Sequence, residues 1–197
     1  MVVNLAGQRY CDEASYGAVI GTRMYRNNLA QGMLIIDSEL YNNSTEFLSR
    51  DARSLISIVV KQQLKTAYQA DTLEQLAELT GIDSGNLLAT VELYNACARG
   101  EQQDPFNKSP SDMSVIAKPP FYAIDLAAGG SPALSLGGLA VDENSGQVKT
   151  LEGIGIEGLY AAGRTAVGIA SNNYVSGLSI ADGVFSGRRA GASAAKL

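Results

Sequence analysis

A chain of 197 residues, 46% hydrophobic and only 18% charged, carries enough apolar side chain to bury a core, which excludes a disordered segment. Its net charge of −5 argues against a nucleic-acid face, and two cysteines, Cys11 and Cys97, are too few for a metal or disulfide framework and read as semi-buried thiols. No apolar run reaches the ~20 residues that span a bilayer, and no basic-then-apolar segment opens the chain, so a cytoplasmic location without a membrane span is expected.

In chain order, Val2 to Tyr10 reads as two short strands around a turn at Ala6-Gly7. Met33 to Ile36, set between Gly32 and Asp37, predicts a buried strand. From Thr45 to about Ala70, Phe47, Leu48, Leu55, Ile58, Val59 and Leu64 recur near helical spacing, although Ile56 to Val60 alone also fits a strand. Asp71 followed by Glu74 marks a helix start, and Gly81 supplies its left-handed end. Asp83 or Ser84 caps the next helix, which places Leu87, Val91, Tyr94 and Ala98 on one face and stops at Gly100. Glu101 to Lys118 is polar and proline-bearing, a surface loop by composition. Beyond Pro119-Pro120 glycine becomes dense, with strand-like pieces at 121–126, 139–142 and 147–150 and hairpin turn residues from Asp142 to Gly146. Leu178 to Ala195 reads as a helix of small residues. This shift of character places a boundary near residue 130, between an α+β unit and a Gly-rich α/β segment.

Histidine is absent, so any proton transfer must use carboxylates, Lys, Tyr, Cys or water. The stretch Gly158 to Arg164 is a short apolar strand running into Gly163, where a ligand could approach the backbone closely. Ser176 to Gly183 leads into the last helix, whose N-terminus offers free N–H groups and a positive dipole end. The N1–C2=O2 edge of a flavin, which gathers negative charge on reduction, suits such a terminus. On spacing alone, close helix–strand packing accounts for the same glycines.

The order of several stretches adds to this. IEGLYAAGR (156–164) followed by YVSGLSIADGVFSGRRAG (174–191) resembles the C-terminal flavin-domain signature of the fumarate reductase and 3-ketosteroid dehydrogenase family. VVNLAGQRYCDE (2–13) resembles that family's hairpin through its capping domain, and 71–106 resembles the paired helices there. KPPFYAI (118–124) and LGGLAVDENSGQV (136–148) resemble the return to the flavin domain. The resemblance implies an N-terminally incomplete α+β capping (substrate) domain over 1–130. After it comes the C-terminal part of an α/β FAD-binding domain over 131–197, with FAD as cofactor. The family's strand–GxGxxG–helix is not found, since Gly129-Gly130 and Gly137-Gly138 lack the spacing and the following helix. The resemblance therefore implies the C-terminal part of a longer protein, inactive as an isolated chain.

Fumarate reductases use a histidine and arginines to hold a dicarboxylate, and Ser171 to Gly177 offers neither. The pattern Tyr174-x-Ser176-Gly177 resembles instead the 3-ketosteroid 4-dehydrogenase-like members. Carried over, Tyr174 and the Gly177 N–H hold a ketone oxygen, Ser176 joins a proton relay, and Tyr16 accepts the proton. Tyr16 also reads simply as a packed aromatic. Ala162, Gly163, Arg164, Gly177, Leu178, Ser179 and Ile180 would contact the cofactor. Arg164 also reads as a surface charge, as do Arg188 and Arg189 on the last helix. The implied reaction is dehydrogenation of a ketosteroid or similar apolar ketone: a proton leaves the carbon beside the ketone and hydride passes to flavin N5. The alternatives are reduction of a small unsaturated acid and a non-catalytic module that binds a ligand or partner. The Gly-rich half is expected to expose apolar surface, hence to self-associate or to pair with the absent FAD-binding half.

Overall fold

Strand, cap and turn chemistry organise the chain locally, and two compact units result, Met1–Gly130 and Ser131–Leu197. The computed structural model describes residues 1–50, 55–128, 136–169 and 174–196, those at 27, 48–50 and 55–59 by their backbone alone. The stretch Gly129-Gly130 lies outside the described residues.

In the first unit, strands β1 (Val2–Val3), β2 (Met33–Ile36), β3 (Tyr68–Ala70) and β4 (Phe121–Asp125) form an antiparallel sheet of order β1-β2-β4-β3. Its register sets Val2 opposite Leu34 and Ile35 opposite Ala123. β2 reads as an unbroken apolar run because both faces of the sheet are covered. Val3, Met33, Ile35 and Ala123 pack against Leu76 and Leu87, from helices α4 (Leu73–Thr80) and α5 (Ser84–Ala98). Ile36 and Ile124 pack on the other side against Leu40 and Tyr41 of α2 (Ser38–Arg50) and Val60 and Leu64 of α3 (Leu55–Lys65). There the Tyr41 and Tyr122 rings stack with centroids 4.1 Å apart.

Several expectations hold. Asp83 caps α5 by accepting from Asn86 N–H at 2.8 Å, and Gly81 ends α4 with φ +74°. Leu87, Val91 and Tyr94 are buried on one face of α5, with Ala98 packed against the same core. The turn at Gly7 sits against the start of α5, where Asn86 Nδ2 and Thr90 Oγ1 donate to the carbonyls of Ala6 and Gly7. A Cβ on Gly7 would lie 2.7 Å from Leu87 N, and φ is +73°, so only glycine fits.

Others need correction. The second strand expected after Gly7 shrinks to one bridge between Val3 and Arg9. Helix α1 (Gly17–Asn27) was not anticipated. The helix expected over Thr45 to Ala70 starts earlier, at Ser38, because Asp37 Oδ1 accepts from Leu40 N–H at 3.0 Å. It ends as two helices followed by β3, because Tyr68–Ala70 pairs with β4. Ile56 to Val60 lies within α3, while the side chains of Leu48, Leu55, Ile58 and Val59 fall outside the described residues. The start expected at Asp71 falls at Thr72, whose Oγ1 accepts from Gln75 N–H at 3.2 Å. Thr72→Ala should therefore cost roughly 1 kcal/mol in urea unfolding, whereas Asp71→Ala should be nearly neutral. The segment from Glu101 to Lys118 is no mere surface loop, since Asp104, Lys108, Met113 and Ile116 are buried. Cys11 and Cys97 are fully rather than partly buried.

In the second unit, β5 (Gln147–Lys149) pairs antiparallel with β6 (Gly155–Tyr160) across a turn in which Thr150 N–H donates to Ile154 O at 2.8 Å, while the expected Asp142-to-Gly146 turn, closed by Asp142 N–H to Gln147 O at 2.8 Å, leads into β5. The strand expected at Leu139 to Asp142 makes isolated bridges only, a parallel one from Leu139 to Ala166 and an antiparallel one from Val141 to Val148. Helix α6 (Leu178–Ala194) turns Asp182, Ser186 and Ala190 inward. The core is small: Val148, Ala161 and Ala166. Ile180, Val184 and Phe185 of α6 and Ile154, Ile156 and Leu159 of the hairpin are exposed, an apolar surface of the kind expected for this half. Among the described residues, no helix is long and apolar enough to cross a membrane and no cluster of side chains could hold a metal.

Candidate active site

The chain leaves β6 at Tyr160, and Ala161 N–H donates to Gly146 O at 3.0 Å. Ala162 is extended, and Gly163–Thr165 makes a single 3-10 turn with Gly163 at φ +58°. The Gly163 N–H donates to Ser186 Oγ at 2.9 Å, and that hydroxyl donates in turn to Asp182 O. The corner after β6 is thereby fastened to the buried side of α6. Gly163 thus spends its amide on the helix.

Arg164 is the bridge within this corner. Its Nη2 donates to Ser179 Oγ at 2.5 Å, and its guanidinium carbon lies 5.5 Å from the centroid of the Tyr174 ring. A cation at that distance from an aromatic face is attracted by the ring quadrupole. Arg164 therefore joins the corner after β6 to Tyr174 and to the first turn of α6, which its reading as a surface charge did not foresee. Arg189 also differs from that reading: it donates to Glu143 O at 2.7 Å and lies over Phe185, while Arg188 is exposed.

Tyr174 is half-buried, followed by exposed Val175, Ser176 and Gly177; Ser171, Asn172 and Asn173 lie outside the described residues. Gly177 stands at the N-cap of α6 with φ +86°, and no side chain caps the helix there. Such a terminus keeps amide donors for an outside acceptor. Among the described residues, nothing lies within 4 Å of the place a Gly177 Cβ would occupy. Leu178 and Ser179 follow in the first turn, half-buried, and Ile180 is 77% exposed. Tyr174, Ser176, Gly177, Leu178, Ser179 and Ile180 thus form one corner with Ala162, Gly163 and Arg164.

Tyr16 belongs to the first unit, at the N-cap of α1, 48% exposed, its carbonyl accepting from Val19 N–H at 2.8 Å. The same unit holds a buried ionic cluster that the sequence did not announce. The Glu13 carboxylate accepts from Val2 N–H (2.8 Å), Arg9 Nε (3.0 Å), Arg9 Nη2 (2.9 Å) and Lys108 Nζ (3.2 Å). Arg9 also pairs with Asp104, and its guanidinium lies between the Tyr94 and Phe106 rings, 4.9 and 5.1 Å from their centroids. Burial alone would raise the Glu13 pKa, but the Arg9 guanidinium, with Val2 N–H, holds it down at about 2. Lys108 is likewise pushed up, because the neighbouring Glu13 outweighs its burial. Burial takes the Tyr10 phenol up to about 12.

Residues 1–180 match the FAD binding domain family. A 3-oxo-5-alpha-steroid 4-dehydrogenase of Comamonas testosteroni is 34% identical over 176 residues, covering 83% of this chain and 32% of the relative. An NADH:acrylate oxidoreductase of Vibrio harveyi is 34% identical over 197 residues, 99% of this chain and 18% of the relative. The chain thus spans a third or less of these curated relatives. Among solved structures, the 3-ketosteroid-delta4-(5alpha)-dehydrogenase of Rhodococcus jostii RHA1, in complex with 4-androstene-3,17-dione, matches with a TM-score of 0.70 and 34% identity. That match covers 100% of this chain and 38% of the solved one.

Proposed function

Because the chain belongs to the FAD binding domain family, and FAD is therefore its cofactor, we propose that the protein dehydrogenates a 3-ketosteroid or similar apolar ketone. The first unit would be the substrate-capping domain, and the second the C-terminal segment of the FAD-binding domain. The observation that carries this reading is the corner at Tyr174 to Gly177. It sets a phenol beside an uncapped helix terminus, with an open glycine between them and the first turn.

The donor set fits the cofactor. The amides of Ser179 and Ile180 in the first turn of α6 would meet the edge of the ring system where negative charge gathers on reduction, with Gly177 and Leu178 beside it. Ala162, Gly163 and Arg164 would lie alongside it. When bound, FAD supplies the hydride acceptor. The rest of the chemistry belongs to this chain. The Tyr174 O–H and the Gly177 N–H would donate to the ketone oxygen and stabilise the negative charge that develops there as the neighbouring carbon loses its proton. Tyr16 would accept that proton as its own O–H proton passes to water, and Ser176 would serve in the proton relay. With no histidine in the chain, a phenol and a hydroxyl are the groups at hand for this work.

The Comamonas testosteroni and Rhodococcus jostii relatives, whose names specify the 4-position of a 3-ketosteroid, support this substrate. Reduction of a small unsaturated acid is the second reading, favoured by the Vibrio harveyi relative. It requires a cation for the carboxylate, and Arg164 is engaged with Ser179 and Tyr174.

Anaerobic titration of the FAD-loaded protein separates the two. A saturated 3-ketosteroid should bleach the oxidised flavin, and acrylate should leave the reduced flavin unoxidised. Reoxidation by acrylate without any response to the ketosteroid would overturn the reading, and no response to either would favour a non-catalytic module.

A further inference from the structure

Arg164 is fixed at its backbone and branched at its tip. On one side Gly163 N–H is held by Ser186 Oγ; on the other Leu139 N–H donates to Thr165 O at 2.8 Å and Ala166 N–H to Gly163 O at 3.1 Å. From this fixed root the planar guanidinium reaches Ser179 Oγ in the first turn of α6 and the Tyr174 ring. Between those two ends run Val175, Ser176 and Gly177, all exposed, and Gly177 offers no side chain for packing. Among the described residues, the backbone there contributes a turn bond from Leu178 N–H to Val175 O at 3.2 Å. The position of the Tyr174 hydroxyl relative to the α6 amides is thus set in good part from outside its own segment.

We propose that Arg164 is a positioning residue: it clamps the Tyr174 ring to the N-terminus of α6, so that phenol and amide donors converge on one substrate oxygen. This rests on the reading of Tyr174 as the ketone-binding group. A guanidinium can present a face to a ring and an in-plane N–H to a hydroxyl at once; the ammonium of lysine, a compact charge on a flexible stem, does not reproduce that pairing. Misplacement of a donor by about 1 Å weakens catalysis strongly.

The test combines a double-mutant cycle with a direct view of the ring. In the FAD-loaded protein, Arg164→Met should lower kcat for the ketosteroid, taken per bound flavin, by roughly ten-fold or more. Arg164→Lys should not rescue it, and Arg164→Met combined with Tyr174→Phe should be no slower than Tyr174→Phe alone. With 3-fluorotyrosine placed at 174, the fluorine resonance should move towards that of the free amino acid in Arg164→Met, a readout that needs no turnover. An unmoved resonance, or losses that multiply in the double variant, would overturn the proposal. Should Arg164→Met not fold, the fluorine shift in Arg164→Lys decides in the same way. If Tyr174→Phe alone keeps full activity, the ketone-binding reading fails, and the fluorine signal still reports separately whether Arg164 holds the ring.

Discussion

Tyr174→Phe in the FAD-loaded protein is expected to lower kcat/KM for a 3-ketosteroid by roughly a hundred- to a thousand-fold, about 3 kcal/mol of transition-state stabilisation. The substitution leaves most of the corner in place. Phenylalanine keeps the ring that lies 5.5 Å from the Arg164 guanidinium, so the corner keeps its shape. On the proposed reading it removes one O–H donor at the point where negative charge develops on the substrate oxygen. The Gly177 N–H remains, which is why activity falls without vanishing. Flavin content should match that of the unaltered protein, because the α6 amides are untouched. Steady-state kinetics with flavin quantified beside each rate checks this, and a loss smaller than about three-fold would remove Tyr174 from the chemistry.

Glu13→Ala is expected to destabilise the first unit by about 3–5 kcal/mol, the usual cost of stripping one partner from a buried ion pair. Side-chain exposures of 9% for Glu13, 5% for Arg9, 7% for Lys108 and 1% for Asp104 place the whole cluster away from water. Two cations there face two carboxylates, and removing Glu13 leaves Arg9 and Lys108 against Asp104 alone. Glu13→Gln combined with Lys108→Met restores the balance of charge and should recover a large part of the loss. The cluster also predicts a pH dependence. The folded-state pKa of Glu13, about 2, lies below its ordinary value of 4.5, so its stabilisation is fully present above that ordinary value. It drains away as pH falls from about 4.5 towards 2. Urea midpoints measured down this range should fall less steeply for the balanced double variant than for the unaltered chain. Parallel curves would mean that other carboxylates govern acid unfolding.

Much of this architecture could be read from neighbours in sequence. The turn from Asp142 to Gly146, the cap at Asp83 and the left-handed Gly81 each depend on residues a few positions apart. So does α6, a run of small residues with glycine before it. The pattern Tyr174-x-Ser176-Gly177 drew attention to the corner for the same reason. Where the reading failed, the decisive partner was remote. Tyr68–Ala70 continues a helical pattern and becomes a strand only because β4 offers it an edge. Asp37 closes a strand in sequence, yet its carboxylate caps α2 and also accepts from the amides of Ala117 and Lys118. Helix α1 carries two glycines and no side-chain cap, so nothing local announced it.

By itself, then, the order of residues determined β2 and β4, the Asp83 cap, the left-handed Gly81, the Asp142-to-Gly146 turn, the last helix and the family. Tertiary structure alone decided which charges are buried and which side chain steadies Tyr174. Arg9 and Asp104 stand 95 positions apart, and Arg164 and Ser179 stand 15 apart. A capping hydrogen bond is written in the chain because its donor and acceptor are covalent near-neighbours. The worth of a buried charge is set by whatever opposite charge the fold brings within a few ångströms, and that distance in space has no counterpart in sequence spacing.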